Sequence, residues 1–320
     1  MPQRTAPASA PPSSVRVALA LGALYLVWGS TYLAIRIAVE TIPPLTASAV
    51  RFLIAGGLLY AATIRTGDAA GDRPGRREWR DAAIVGGLLL AGGNGLLAIG
   101  ERTIPSGIAA LIIATLPLWV AILGRLFFGV VLSRRILVGT LIGFAGVAVL
   151  VGPTGGAGDL DPYGAAVVLL SPVFWAVGSL YSRGAHAPRR PLVGTAMQML
   201  AGSAILFVLA AASGDLAGVR PAEVTRASVA AVAYLVFVGS LVGYTAYVWL
   251  LRVAPISLVA TYAFVNPVIA VLLGWVVLAE PLEPRTIVAG AIIVVAVAVI
   301  VRARGGESRQ PAPDEVVEPG

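Results

Sequence analysis

The feature that most constrains this chain is a succession of ten apolar segments. They cover 16–38, 45–64, 82–100, 106–127, 136–152, 163–182, 191–212, 228–250, 256–278 and 285–302. Crossing the ~30 Å hydrocarbon core of a bilayer takes about 20 residues at ~1.5 Å each, and in lipid a helix satisfies its own backbone. The expected fold is therefore an all-α membrane protein with ten transmembrane helices. Composition agrees: 58% of residues are hydrophobic before the 37 Gly are counted, and only 12% are charged. That leaves too little polar surface to cover a water-soluble globule.

The charges that remain set an expected orientation. All 23 basic residues are Arg, and with the N-terminus inside, 16 of them fall in the inner regions and four in the outer loops. Basic loops stay cytoplasmic, so both termini are expected there. The first segment is too long, and lacks the cleavage pattern, for a removable signal. The Pro/Ala/Ser-rich residues 1–14 and the acidic, Pro-containing 305–320 are expected to be disordered tails.

Several chemistries are excluded by what the alphabet lacks. Without Lys there is no P-loop and no Schiff base, so no ATPase is encoded. Zero Cys and a single His186 leave no thiolate or multi-His metal site, and no cofactor is expected. No Asp falls inside a span, which disfavours a membrane-embedded protease. The high pI follows from basic loops and implies no nucleic-acid partner. The expected partners are a small-molecule substrate and membrane lipid.

Self-comparison divides the chain in two. At an offset of 150, Gly93, Arg102, Pro105, Ala110, Pro117, Leu123 and Gly124 meet Gly243, Arg252, Pro255, Ala260, Pro267, Leu273 and Gly274. Earlier segments align at offsets of 147 to 149, where Gly29-Ser30 meets Gly178-Ser179 and Arg51 meets Gln198. The repeats are read as 16–152 and 163–302, five helices each. Five is odd, so the second enters from the opposite face, giving two inverted-topology repeats of the kind that place a transport site near the midplane.

Three stretches carry a family resemblance: 27–57 (VWGSTYLAIRIAVETIPPLTASAVRFLIAGG), 93–122 (GNGLLAIGERTIPSGIAALIIATLPLWVAI) and 244–286 (YTAYVWLLRVAPISLVATYAFVNPVIAVLLGWVVLAEPLEPRT). They resemble the EamA-type branch of the drug/metabolite transporter superfamily, over roughly residues 16 to 302 with both tandem repeats. The resemblance implies an inner-membrane location and export or exchange of small metabolites through a central cavity, surrounded by helices one, three, four, six, eight and nine. One departure is visible. The acid that family members often carry after the fourth helix is present in the second half as Glu280, but its counterpart here is Val130.

Polar groups within spans are costly in lipid and therefore candidates for function. Arg51 lies about 9 Å below the surface and needs a partner, with Glu40 and Glu101 as candidates, or else an anionic group on a substrate. Arg36, near a span end, is expected to snorkel to the headgroups. Asn94 and Glu101, seven residues apart, share a helix face. For Glu101 the readings are amine binding, proton coupling or a surface pair with Arg102. Pro117 and Pro267, repeat-matched, are expected helix breaks and hinges, with Thr115 and Asn266 beside them. Trp28, Ser30, Tyr32, Trp175, Tyr244, Tyr247 and Tyr262 are expected to line a pocket of apolar walls and a few hydroxyls. The expected function is a secondary transporter of neutral, zwitterionic or amphipathic solutes. The alternatives are a passive channel, or a lipid or metabolite carrier without ion coupling.

Overall fold

A computed structural model describes residues 14–65, 74–129, 133–151, 160–254 and 256–307. The described chain is helical and follows the apolar segments. In order, the helices are α1 (Ser14–Ala38), α2 (Pro44–Arg65), α3 (Arg76–Gly100), α4 (Ser106–Phe128), α5 (Arg134–Val151), α6 (Pro162–Ser182), α7 (Pro191–Ala212), α8 (226–253), α9 (256–278) and α10 (Pro284–Glu307). The first helix starts at Ser14 and the last ends at Glu307, each reaching into a segment expected as tail; residues 1–13 and 308–320 lie outside the described residues.

Nine helices are individually long and apolar enough to span, among the described residues. The tenth span, α9, is interrupted: a turn at Ala260–Thr261 divides Ile256–Val259 from Tyr262–Leu278. A similar turn at Ala114–Thr115 interrupts α4 just before Pro117, which stands in the first turn of the piece that follows. A proline lacks an N–H and is tolerated there, so the break precedes it. Pro267 differs, sitting inside its helix a turn beyond the break.

Two further irregularities match between halves. Helix α3 widens to π geometry over Gly87–Gly95, and α8 does so over Leu235–Val242. Such wide turns expose backbone carbonyls and accumulate at functional sites.

Packing shows the inverted duplication. Helix α2 lies along α7, α5 along α10 and α4 against α9, each beside its own counterpart. Helix α1 rests on α8 and α9 as α6 rests on α3 and α4. The interior consists of small and branched residues: Ile136, Val147 and Leu150 of α5 pack in one cluster with Ile293, Val297 and Ile300 of α10. Ser203 of α7 donates to the Ala49 carbonyl of α2 at 2.8 Å. Large apolar side chains such as Leu126, Phe127, Phe128, Trp275, Val276 and Val277 are exposed. In lipid that outward face has no hydrophobic penalty.

Candidate functional site

The bundle has an Arg-rich end, carrying residues 183–190, and an Arg-poor end, carrying 39–43, 101–105, 213–225 and 279–283. Between them, α1, α8 and α9 bring four of the expected pocket residues together. Trp28 packs edge-on to Tyr244 (5.6 Å between ring centroids) and Tyr262 (5.1 Å), and tilted to Tyr247 (5.1 Å). Tyr247 and Tyr262 meet at 6.0 Å. Glycine makes room for Trp28: a Cβ on Gly243 would stand 2.5 Å from its indole nitrogen. One turn nearer the Arg-rich end, Tyr25 hydrogen-bonds Thr261 at the α9 break.

The same contact recurs in the other half. Trp175 of α6 lies over Gly93 of α3, whose Cβ would come within 2.0 Å of the ring. Ser171 of α6 donates to the Gly93 carbonyl at 2.8 Å, inside the wide turn. Trp175 therefore belongs to this second corner and not to the aromatic group around Trp28.

Other candidates turn to local partners. Ser30 donates to the carbonyls of Leu26 and Val27 and shares a 2.6 Å bond with the Tyr234 hydroxyl. Asn94 donates to the Leu89 carbonyl of its own helix, and Thr115, fully buried, to that of Ile112. Asn266 is buried and its side-chain oxygen has no hydrogen-bond partner among the described residues. Half-buried Tyr32 lies within electrostatic reach of Glu101 and Tyr262.

Of the three charged candidates, Arg51 departs from the expected acid partner. Arg51 is buried, but Glu40 is exposed and Glu101 does not bond to it. Instead its Nε donates to Ser240 at 3.1 Å, and the guanidinium sits 4.7 Å from the Phe52 ring centroid. A cation can be held this way by a hydroxyl and a π face. Arg36, at the end of α1, donates to the carbonyls of Glu101 and Arg102 at the Arg-poor end. Glu101 is fully buried, and neither of its carboxylate oxygens has a hydrogen-bond partner among the described residues.

Glu280 plays a role that sequence reading missed. Ala279 has φ 52°, a left-handed turn matched at Gly129 (φ 64°), and the turn aims Glu280 at the first turn of α4 in the opposite half. One oxygen accepts from the Ser106 N–H at 2.8 Å; the other accepts from the Ser106 hydroxyl at 3.1 Å and the Gly107 N–H at 3.2 Å. A carboxylate here answers unpaired helix N–H groups and the positive end of the helix dipole. Gly274 leaves it space, since a Cβ there would fall 2.2 Å from the carboxylate.

More ties join the halves at the Arg-poor end. Asp215 accepts from the N–H (2.9 Å) and hydroxyl (2.6 Å) of Thr46 at the start of α2. Thr103 donates to Asp161 at 2.7 Å, and Thr41 to Ser228 at 2.8 Å. At the Arg-rich end, Asp81 gathers the Tyr181 hydroxyl (3.1 Å) and both the backbone N–H and ring nitrogen of His186 (2.8 Å each). Among the described residues no group of three or more His, Asp or Glu could hold a metal.

A ten-helix bundle of inverted repeats with matched irregular helices defines a multi-pass membrane protein. The model of the EamA-like transporter family matches residues 16–152 and 162–302, and the chain belongs to that family. It is 39% identical over 282 residues to the uncharacterized inner membrane transporter YedA of Escherichia coli (strain K12), covering 88% of this chain and 89% of that one. It is 27% identical over 285 residues to a probable terminal-alkyne amino-acid exporter of Streptantibioticus cattleyicolor, covering 88% and 92%. A crystal structure of 22% identity superimposes with a TM-score of 0.60 over 93% of this chain and all of the other, a likeness of fold. The protein is a multi-pass inner-membrane transporter.

Proposed function

We propose that this transporter exports or exchanges small neutral, zwitterionic or amphipathic solutes by alternating access between its two halves, with both termini in the cytoplasm. The observation that carries the reading is the half-buried aromatic group of Trp28, Tyr244, Tyr247 and Tyr262, set between repeat-matched irregular helices. Aromatic faces with hydroxyl tips suit a solute with an apolar part and a few polar groups. Tyr32, Asn94, Thr115, Trp175 and Asn266 extend the candidate surface, while Ser30 positions α1 through Tyr234. Arg51 offers a buried positive charge for the carboxylate of a zwitterion. The breaks beside Pro117 and Pro267 are the hinges. The amino-acid exporter among the relatives supports this solute class.

In this reading the structure is closed at the Arg-poor end, where Glu280, Asp215 and Asp161 join the halves. Opening that end exchanges these hydrogen bonds for water, and the solute leaves there. The test is counterflow in proteoliposomes preloaded with a pool of unlabelled amino acids. Saturable uptake of a labelled member, dependent on the internal pool, is expected. Flux that does not respond to the internal pool would identify a channel or uncoupled carrier instead.

A further inference from the structure

Glu101 stands where an ionised carboxylate is hardest to keep. It is 0% exposed, and both oxygens lack a hydrogen-bond partner among the described residues. Two cations lie within electrostatic reach, yet the bonds they make go elsewhere: Arg36 of α1 to the Glu101 and Arg102 main-chain carbonyls, Arg51 of α2 to Ser240. The other facing groups do not neutralise it. Glu280, at the end of α9, is a second carboxylate, and its oxygens already accept three hydrogen bonds from α4. Tyr32 of α1, also within electrostatic reach, brings no positive charge. An unpaired buried charge costs several kcal/mol, whereas a protonated carboxyl does not carry that penalty.

We infer that Glu101 is a proton-binding site whose occupancy is tied to closure of the Arg-poor end: protonated when that end is sealed, ionised when it opens to water. Glu280 divides the labour. Its oxygens are held by the α4 donors for as long as the halves stay joined, while Glu101 takes or gives the proton. One proton is bound from water on the Arg-rich side while the Arg-poor end is sealed, and the same proton is released to water on the Arg-poor side when that end opens. Its coupling role rests on the transport reading above; the protonation itself does not.

Two measurements test it on the full chain in lipid. The first uses the proton as probe. Infrared spectra at neutral pH are expected to show a protonated carboxylic acid band that is missing in Glu101→Gln and retained in Glu280→Gln. Identical wild-type and Glu101→Gln spectra would overturn the inference. The second uses a labelled pool of neutral amino acids. Wild type is expected to accumulate solute in response to a pH gradient, up to about tenfold per pH unit for one proton per solute. Glu101→Gln should keep counterflow and lose the gradient response; a variant that responds as wild type does would also overturn it. If wild type shows no counterflow at all, the transport reading fails for that pool and the infrared band alone decides. Should Glu101→Gln not fold, Glu101→Asp retains the carboxyl and is expected to retain the band at a shifted frequency.

Discussion

The corner formed by α1, α8 and α9 and the corner formed by α6, α3 and α4 share one frame: a tryptophan laid over a glycine of a widened helix, Trp28 on Gly243 and Trp175 on Gly93. Their surroundings differ. Tyr244, Tyr247 and Tyr262 align at the 150-residue offset with Asn94, Leu97 and Ile112. The first corner is thus half-buried rings with hydroxyl tips, while Leu97 and Ile112 are buried in the apolar interior. Duplication supplied the backbone twice, and side-chain divergence made one corner aromatic and half-open and the other apolar and solid. The two ends diverge likewise, because Glu280 caps α4 whereas the paired Val130, outside the described residues, has no carboxylate to offer.

The largest effect is expected from removing the rings. Trp28→Ala loses three aromatic pairs, each worth about 0.5–1.5 kcal/mol, so about 2–4 kcal/mol in all. Trp175 makes no ring pair among the described residues, and Trp175→Ala should cost less. Thermal unfolding in detergent ranks the two, and counterflow should fall furthest in Trp28→Ala. Equal losses would mean that the aromatic difference between the corners has no energetic weight.

Next comes the end-to-end difference. Glu280→Ala strands three donors of α4, at about 1–3 kcal/mol, and should shift the chain toward opening at the Arg-poor end. The chain has no cysteine, so one placed at Ala110, fully buried, reports directly. Its labelling by a membrane-impermeant maleimide should speed up by about tenfold or more when ~1.4 kcal/mol of closure is lost. Val130→Glu supplies the missing acid at the paired position. If it slows labelling at the Arg-rich end, the asymmetry of the gates resides in this residue pair.

How much of this was legible in the sequence depended on the range of the interaction. Span length is local, so each of the ten segments is helical, two of them with a break, and the largest shift of an end is the six residues by which α3 starts early. The repeat was readable because Pro117 with Pro267 and Gly93 with Gly243 hold backbone features that few other residues permit. The widened turns of α3 and α8 left no local signature beyond glycine. Arg51 was expected to seek an acid, and it found Ser240 and a ring; Glu280 was visible only as a family trait. Both partnerships join residues far apart along the chain, and their geometry is set by how the halves interlock. Burial of Glu101 could be guessed, but its lack of partners could not, because that depends on where Arg36 and Arg51 spend their hydrogen bonds.

A smaller effect compares the two glycines. Gly93→Ala places a Cβ 2.0 Å from Trp175, and Gly243→Ala places one 2.5 Å from the Trp28 nitrogen. Each indole must move, at about 1–2 kcal/mol. Trp175 is pinned where Ser171 ties α6 to α3, so Gly93→Ala should lower the melting temperature more. Trp28 has a rim of rings around it, and its displacement should show chiefly in solute affinity. The reverse ranking would make the aromatic corner the more rigid of the two.

The smallest effect is a pH dependence confined to the start of α6. Asp161 accepts from the Thr103 hydroxyl at 2.7 Å and from the Gly164 and Tyr163 N–H groups at 2.9 and 3.3 Å. These bonds, led by the Thr103 hydroxyl, hold its carboxyl below the usual range. A depressed folded value means the contribution is complete above the unfolded pKa, about 3.9, and is lost as pH falls through the folded value. Acidification toward pH 3 should therefore loosen the first turn of α6 and its tie to Thr103, with faster amide exchange at Tyr163 and Gly164. Asp161→Asn removes the titration while keeping one acceptor, so exchange there should become insensitive to pH below 4 once the intrinsic rate is corrected. The corresponding start of α1, at Ser14, has no carboxylate and should show no such step. A matching step at α1 would place the titrating group elsewhere and dissolve this last contrast between the repeats.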